Sequence, residues 1–172
     1  MLFRSRTADT LEKRRVQLRV LDPNLGITDP SRFTLSVVGG NSKLNLASLR
    51  GKVLIFDFWA TWCVPCRAQH PLYEEVRQRF RDRSDLMFLA VNTDEDRELV
   101  KPFMQEQHWT GDTYYDIGLV RLLTVTSIPT TVIMDKAGRI VSRMNGFAGD
   151  TFVEQLTARI QAALAATENS GN

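Results

Sequence analysis

Cys63 and Cys66 are the only two cysteines in the 172-residue chain, and two residues separate them. A disulfide stabilises a fold mainly by lowering the conformational entropy of the unfolded chain, and this effect grows with the length of the loop that it closes. A disulfide across so short a loop therefore stabilises the fold very little. The pair therefore indicates chemistry rather than structural cross-linking. In thiol–disulfide exchange a thiolate attacks a disulfide, and a neighbouring thiol can resolve the mixed disulfide that forms.

The surrounding sequence favours Cys63 as the attacking thiol. A nearly continuous apolar run at 53–58 precedes the cysteines and a helical pattern follows them, so the pair lies at a strand-to-helix junction. At a helix N-terminus, unpaired backbone N–H groups and the helix dipole stabilise an anion and lower the pKa of a thiol. Pro65 suits the first turn, where its missing N–H has no partner to lose. Cys66, one turn deeper, is expected to be the resolving thiol.

Two other chemistries that use paired cysteines fit less well. A structural zinc site needs four ligands, and the remaining candidates, His70 and His108, do not form a second ligand pair. Both histidines, with Trp109, are expected to serve packing or to lie at the surface. Haem attachment needs a histidine directly after the second cysteine, where this chain has Arg67. We therefore expect no metal and no organic cofactor, only a redox-active Cys63–Cys66 disulfide.

The composition fits a single folded domain and does not indicate a nucleic acid or a membrane as a partner. Hydrophobic residues make up 43% and charged residues 24% of the chain, enough for a substantial core. The formal net charge of +2 is too small to indicate nucleic-acid binding. No stretch has the length and apolarity of a membrane-spanning helix, and residues 1–15 lack the apolar run of a secretory signal. We expect no membrane contact by this chain itself, although a missing N-terminal anchor is possible.

The predicted elements alternate between strands and helices. Residues 1–30 predict a linker or an edge extension, with a short strand at 16–20, and 168–172 predict a frayed tail. Asp94 and Asp150 are predicted to cap the second and the last helix. The order predicts an α/β domain over 31–167 with a mixed central sheet flanked by helices. Its predicted elements are a hairpin within 33–46, strands at 53–58, 86–91, 113–115, 130–134 and 140–144, and helices at 63–80, 95–104, 117–123 and 152–164.

Three segments resemble one protein family. Lys52 to Pro71, KVLIFDFWATWCVPCRAQHP, resembles the active-site segment of thioredoxins and is similar to that of the membrane-anchored or periplasmic TlpA and ResA type. The preceding FTLSVVGGNSKLNLASLRGKV resembles the hairpin of those proteins, and SIPTTVIMDKAGRIV resembles their cis-proline stretch. The resemblance covers about 32–165. It implies a thioredoxin fold with an N-terminal β-hairpin and a central helix–strand insertion at about 95–116.

The resemblance also implies a groove that binds substrate. Pro129 matches the cis-proline of the family, whose preceding backbone pairs with a substrate chain. Trp59 matches a tryptophan of the core and Trp62 one at the rim of the groove, and Phe147 accompanies the groove. The implied substrate-binding positions are Trp62, Val64, Pro65, Ile128, Pro129 and Gly146.

Asp57 matches the buried acid of the family, six residues before Cys63. A lone carboxylate in an apolar strand is costly to ionise, so its pKa should rise, and such a group can exchange protons with Cys66 during resolution. Ala90 stands where thioredoxins carry a lysine, and Gln69 where ResA-type proteins carry a glutamate. We therefore expect Asp57 to be the only acid nearby, with no lysine beside it.

The main functional hypothesis is a thiol–disulfide oxidoreductase that reduces disulfides in protein substrates. Val64 and Pro65 between the cysteines, and Ile128 before Pro129, favour a reductant over a strong oxidant. One alternative is an adaptor module whose groove binds an extended chain without redox turnover. Another is a peroxiredoxin-like peroxidase, which needs a threonine three residues before its cysteine and a proline seven before; this chain has Ala60 and Phe56 there.

The resemblance bears on partners and location as well. An electron-donating thiol protein must regenerate the dithiol, and relatives of this type act on apocytochromes, on copper-site proteins or in broader redox roles. The resemblance implies an extracytoplasmic or periplasmic location, whereas the N-terminus as given implies a cytoplasmic one if it is native. A monomer is expected.

Overall fold

The computed structural model describes residues 29–168. Residues 1–28 of the linker or edge extension predicted at 1–30, with its short strand at 16–20, and residues 169–172 of the tail predicted at 168–172 lie outside the described residues. Within 29–168 no helix is long and apolar enough to span a membrane. In chain order the elements are strands β1 (Thr34–Ser36), β2 (Lys43–Asn45) and β3 (Val53–Trp59), helix α1 (Val64–Arg79), strand β4 (Leu86–Asn92), helix α2 (Val100–Glu106), strand β5 (Thr113–Tyr115), helix α3 (Leu119–Leu122), strands β6 (Thr130–Met134) and β7 (Ile140–Asn145), and helix α4 (Phe152–Glu168).

Strand β3 is the centre of a five-stranded mixed sheet with the order β5-β4-β3-β6-β7. All seven of its residues are buried, because an apolar run of this kind is stable only with both faces covered. It pairs in parallel with β4 and antiparallel with β6. The predicted mixed sheet is therefore confirmed, and its strands begin and end within two residues of the predicted positions.

The two faces of the sheet are covered by different elements. Alternate side chains of β3 point to opposite sides, so Ile55 packs with α1 and α4 while Phe56 packs with the β1–β2 hairpin and α3. The predicted stripe on α4 is buried: Phe152, Leu156, Ile160 and Leu164. The face that carries α1 is the one that positions the cysteines.

The prediction that Asp94 caps the second helix is wrong. The chain enters α2 through a 3-10 turn, Arg97–Leu99, where the Asp96 side chain accepts the N–H of Glu98. Asp94 instead bonds to the loop that precedes the cysteines. Several aspartates precede this helical pattern, and spacing alone cannot tell which of them is the cap.

The predicted cap of α4 and the predicted start of α3 also differ from the structure, although α4 begins at Phe152 as predicted. A 3-10 turn, Gly149–Thr151, leads into α4 from Ala148, and it has no side-chain cap, so the prediction that Asp150 caps this helix is wrong. Helix α3 begins two residues later than predicted. Asp116 accepts the N–H of Gly118, and Gly118 adopts φ of 119°, which suits glycine.

The β5 edge of the sheet pairs with the hairpin segment, whereas the β7 edge has no further strand beside it within residues 29–168. Val37 of the hairpin segment forms a bridge to Tyr114 in β5, and the N–H of Val38 donates to the carbonyl of Thr113 at 2.7 Å. The opposite edge is β7, where Ile140 is 46% exposed.

Helix α4 reaches over this open edge with one side chain. Arg159 donates from Nη1 to the Ser142 hydroxyl at 2.8 Å and to the carbonyl of Arg143 at 3.3 Å. One backbone carbonyl of β7 is thus bonded to a helix on its own chain.

Candidate active site

Cys63 and Cys66 form a disulfide at the start of α1. Cys63 is the N-cap, and its Sγ accepts the backbone N–H of Cys66 at 3.2 Å. The predicted strand-to-helix junction is confirmed, since β3 ends at Trp59. A sulfur in this position faces the positive end of the helix dipole, which stabilises a thiolate once the disulfide is reduced.

The disulfide is buried but bordered by exposed apolar side chains. Both cysteines are only 3% exposed, whereas Trp62 is 70% and Val64 is 62% exposed. Pro65 is also exposed. A substrate chain would therefore meet an apolar rim before it meets sulfur.

The implied groove residues from the second half of the chain come to the same place. The Ile128–Pro129 bond is cis, and Ile128 packs against the cluster that contains both cysteines. The N–H of Gly146 donates to the carbonyl of Pro129 at 2.8 Å. Phe147 is 36% exposed and packs toward Phe152.

Asp57 is buried beneath α1, at 5% exposure. Its Oδ1 accepts hydrogen bonds from Gln69 Nε2 at 2.8 Å and from the Thr131 hydroxyl at 3.1 Å. Cys66 and Gln69 lie on the same buried face of α1. Asp57 is therefore held under the helix face that carries the second cysteine.

Burial raises the pKa of Asp57 to about 7, against the opposing effect of the hydrogen bonds from Thr131 and Gln69. The negative charge of Glu74 on α1 raises the pKa further, so the expectation that Asp57 is the only acid nearby is wrong. Ala90 lies directly beside Asp57 in the β3–β4 register. The predicted position of Ala90 beside the buried acid is confirmed.

The sequence does not predict the hydrogen bonds that join two loops next to the cysteines, which we call the Asp94 clamp. Asp94 accepts the backbone N–H of Thr61 at 2.8 Å and the Thr61 hydroxyl at 2.7 Å. Asn92, which is buried, donates to Asp94 at 2.7 Å and accepts its N–H at 3.0 Å. The loop that leads into Cys63 is thereby tied to the loop after β4. The Asn-x-Asp pattern at the end of a strand was the available signal for this turn.

Aromatic rings pack next to the disulfide, in the hydrophobic cluster that contains both cysteines. The His70 ring stacks on Trp109 with centroids 3.6 Å apart, and Trp109 packs edge-on against Trp59 at 4.8 Å. Burial and the nearby Arg77 guanidinium lower the pKa of His70 to about 4. Trp59 is in the core as predicted, and the expectation that His70 and Trp109 serve packing is confirmed.

Other polar chemistry around the site is limited in the part of the chain that is described. Within residues 29–168, no three His, Cys, Asp or Glu side chains come together as a metal site would require. Among buried side-chain oxygens and nitrogens in the same range, Gln69 Oε1 lacks a hydrogen-bond partner.

Comparison with known proteins agrees with this geometry. A family model described as thioredoxin-like matches residues 51–140. The thiol-disulfide oxidoreductase ResA of Bacillus cereus is 26% identical over 152 residues, 87% of this chain and 80% of that protein. The thiol:disulfide interchange protein HelX of Rhodobacter capsulatus is 29% identical over 140 residues, 77% of this chain and 73% of HelX. A crystal structure of a thiol:disulfide interchange protein from Chlorobium tepidum matches with a TM-score of 0.65 at 26% identity, covering 79% of this chain and 96% of that one.

Proposed function

We infer that this chain, which belongs to the thioredoxin-like family, is a thiol–disulfide oxidoreductase that reduces disulfides in protein substrates through Cys63 and Cys66. The observation that carries this conclusion is the Cys63–Cys66 disulfide at the N-terminus of α1. One sulfur there is stabilised as a thiolate and the other lies one turn away to resolve the product.

The proposed cycle begins with both cysteines reduced. The Cys63 thiolate attacks one sulfur of the substrate disulfide; a mixed disulfide forms, and the other substrate sulfur leaves as a thiolate and takes up a proton. Cys66 then loses its proton and attacks Cys63 Sγ. The Cys63–Cys66 disulfide forms, and the second substrate sulfur leaves as a thiol. Two electrons have passed from the protein to the substrate.

Asp57 is proposed to take the proton from Cys66 in the resolving step. Its raised pKa of about 7 matches the working range of a general base near neutral pH. Both of its observed hydrogen bonds go to Oδ1, which leaves Oδ2 to carry the transferred proton.

The partners and the location are proposals that rest on the resemblance to the TlpA and ResA type. A second thiol protein would return two electrons to the disulfide, and the cycle would use no metal or organic cofactor. We propose a monomer that works outside the cytoplasm. Labelling of the reduced cysteines in intact cells by a membrane-impermeant thiol reagent would support that location, and labelling only after lysis would contradict it.

The direction of electron flow is tested by the reduction potential of the cysteine pair in dithiothreitol or glutathione buffers. Thioredoxin lies at about −270 mV and the strong oxidant DsbA at about −120 mV. We expect a value near or below the thioredoxin figure. A value near that of DsbA would make disulfide formation the function.

Trapping tests the roles of the two cysteines. The Cys66→Ser variant should accumulate a mixed disulfide with an oxidised model protein, and Cys63→Ser should not. If the wild type reduces no disulfide while the double variant still binds extended chains, the protein is a binding module instead.

A further inference from the structure

The turn at 124–128, between α3 and Pro129, contains a strained backbone position. Thr124 adopts φ of 53°, in the left-handed region that glycine enters freely and a β-branched residue enters only at a cost in free energy. The Thr124 side chain is exposed, so its own packing does not offset that cost. A residue in such a conformation persists only where the surrounding contacts fix the backbone.

Two backbone hydrogen bonds close the end of α3 around Thr124. The N–H of Thr124 donates to the carbonyl of Arg121 at 3.2 Å, and the N–H of Val125 donates to the carbonyl of Val120 at 2.8 Å. Helices commonly end in this arrangement, with a glycine as the left-handed residue. Here a threonine takes the place of the glycine, so the two bonds form against the backbone preference of that residue.

Arg143 of β7 supplies a third attachment to the same position. Its Nη2 donates to the carbonyl of Leu123, and its Nη1 donates to the carbonyl of Thr124 at 3.5 Å. One planar guanidinium thus bridges the carbonyls on either side of the strained Cα atom. Its positive charge also lies at the C-terminal end of α3, where the last carbonyls carry partial negative charge. Arg143 is therefore the side chain that holds this end of the turn to the sheet.

The other end of the turn is attached to a different strand. The Thr130 hydroxyl of β6 donates to the carbonyl of Ser127 at 2.7 Å, and Ile128 packs against the cluster that contains Cys63 and Cys66. The turn is thus held by β7 where it leaves α3 and by β6 where it reaches the cysteines. A change at the first attachment is transmitted along only a few residues of backbone to the second.

From these contacts we propose that Arg143 is a positioning residue for substrate binding, which holds Thr124 in the left-handed conformation and thereby keeps the backbone at 127–128 in place for a substrate chain. Arg143 takes no part in disulfide exchange in this scheme, so its effect is confined to the binding of polypeptide substrates. The inference rests on the reductase function proposed above. It goes beyond that function because it assigns an effect on substrate affinity to a residue of the edge strand.

The test compares a protein disulfide with a small one in single turnovers of the reduced protein. Arg143→Gln should raise the half-saturating concentration of insulin about tenfold and leave the rate at saturation within about twofold of the wild type. Hydroxyethyl disulfide has no polypeptide backbone to pair with the turn, so it should react at the wild-type rate, and the reduction potential should not change. Arg143→Lys keeps the charge but cannot bridge both carbonyls in the same way, and its effect on insulin should be intermediate.

A second substitution tests whether Arg143 acts through Thr124. Glycine adopts the left-handed conformation without strain. Thr124→Gly in the Arg143→Gln background should therefore return the half-saturating concentration of insulin to within about threefold of the wild type. Arg121→Gln is the matched control, because it removes a guanidinium from an exposed position on α3 and should change the reaction with neither substrate.

The outcomes separate this inference from the proposed function. If the wild type reduces neither insulin nor hydroxyethyl disulfide, the reductase function is wrong and this inference is wrong with it. If the wild type reduces both, but Arg143→Gln keeps its half-saturating concentration or slows both substrates equally, the reductase function stands and the positioning role is wrong. Failure of Thr124→Gly to restore insulin binding would also overturn the inference. Circular dichroism checks that each variant is folded, and Arg143→Lys gives the comparison if Arg143→Gln is not.

Discussion

Gln69 Nε2 lies 2.8 Å from Oδ1 of Asp57, so a neutral amide on α1 directly solvates the buried carboxylate of β3. The Thr131 hydroxyl bonds to the same oxygen at 3.1 Å. Both donors favour the ionised carboxylate and limit the rise in its pKa that burial causes. Gln69 therefore connects the helix of the cysteines to the group proposed to take their proton.

The Gln69→Leu variant should raise the pKa of Asp57 above its value of about 7. Loss of one hydrogen bond to a charged group should move the acid limb of the pH–rate profile upward by about one to two pH units. Stopped-flow measurement of the turnover rate across pH gives the shift of the acid limb. Infrared titration of the carboxyl group gives the pKa of Asp57 directly. Gln78→Leu on the exposed part of α1 is the control, and an equal shift in both variants would exclude a specific role for Gln69.

Asp57 should make the oxidised protein less stable as the pH rises. Its pKa is about 7 in the folded protein against 3.8 for an unperturbed aspartate, so between these values only the folded state holds the proton. Stability is highest below the unfolded pKa and falls through the folded one. The advantage of Asp57→Asn over the wild type in free energy of unfolding should grow by about 3 kcal/mol between pH 4.5 and 8.5. Urea denaturation checks it, and a pH-independent difference would rule out a raised pKa.

His70 should have the opposite effect at acid pH, where it makes the free energy of unfolding fall as the pH falls. Burial and Arg77 lower its pKa to about 4 from 6.5, so below 6.5 the unfolded state gains a proton that the folded state does not bind. Stability is therefore lost as the pH falls through this range. His70→Phe keeps a ring on Trp109 and should abolish most of this acid destabilisation. Denaturation at pH 7.5 and 4.5 gives the comparison, with His108→Phe, an exposed histidine, as control.

The Asp94 clamp should matter for both stability and rate. Asp94→Ala removes two hydrogen bonds to Thr61 and should lower the free energy of unfolding by about 2 kcal/mol. It should also slow formation of the mixed disulfide, because the loop before Cys63 loses its anchor. Asp96→Ala, which removes only a 3-10 cap, should leave that rate unchanged. In a double-mutant cycle Thr61→Ala should add little to Asp94→Ala, and full additivity would contradict the clamp.

The parts that the sequence predicted are those that depend on local pattern. The continuous apolar run of β3 predicts a strand that is buried on both faces, as observed. Its position just before Cys63 predicts that the cysteines lie at the start of a helix. Thr130–Met134 and Thr113–Tyr115 match their predicted bounds because turn residues delimit each of them clearly.

The parts that it missed depend on contacts between distant segments. Asp94 has the residue type of a helix cap, and only the folded chain shows that Thr61 is its partner. Helical periodicity places His70 on a partly covered face of α1 but does not name Trp109 as the ring above it. The effect of Glu74 on Asp57 likewise needs the packed helix. The roles assigned to Asp57 and the groove residues stay predictions until the variants are measured.

The Arg159 side chain over β7 has a consequence for the behaviour of the protein in concentrated solution. An open edge strand with half-exposed residues such as Ile140 is a template on which another chain can add strands and begin aggregation. Arg159 occupies the carbonyl of Arg143 and brings a positive charge to that border. A residue of α4 far from the redox chemistry thus takes one hydrogen-bond acceptor of this edge out of use, which opposes the addition of a further strand there.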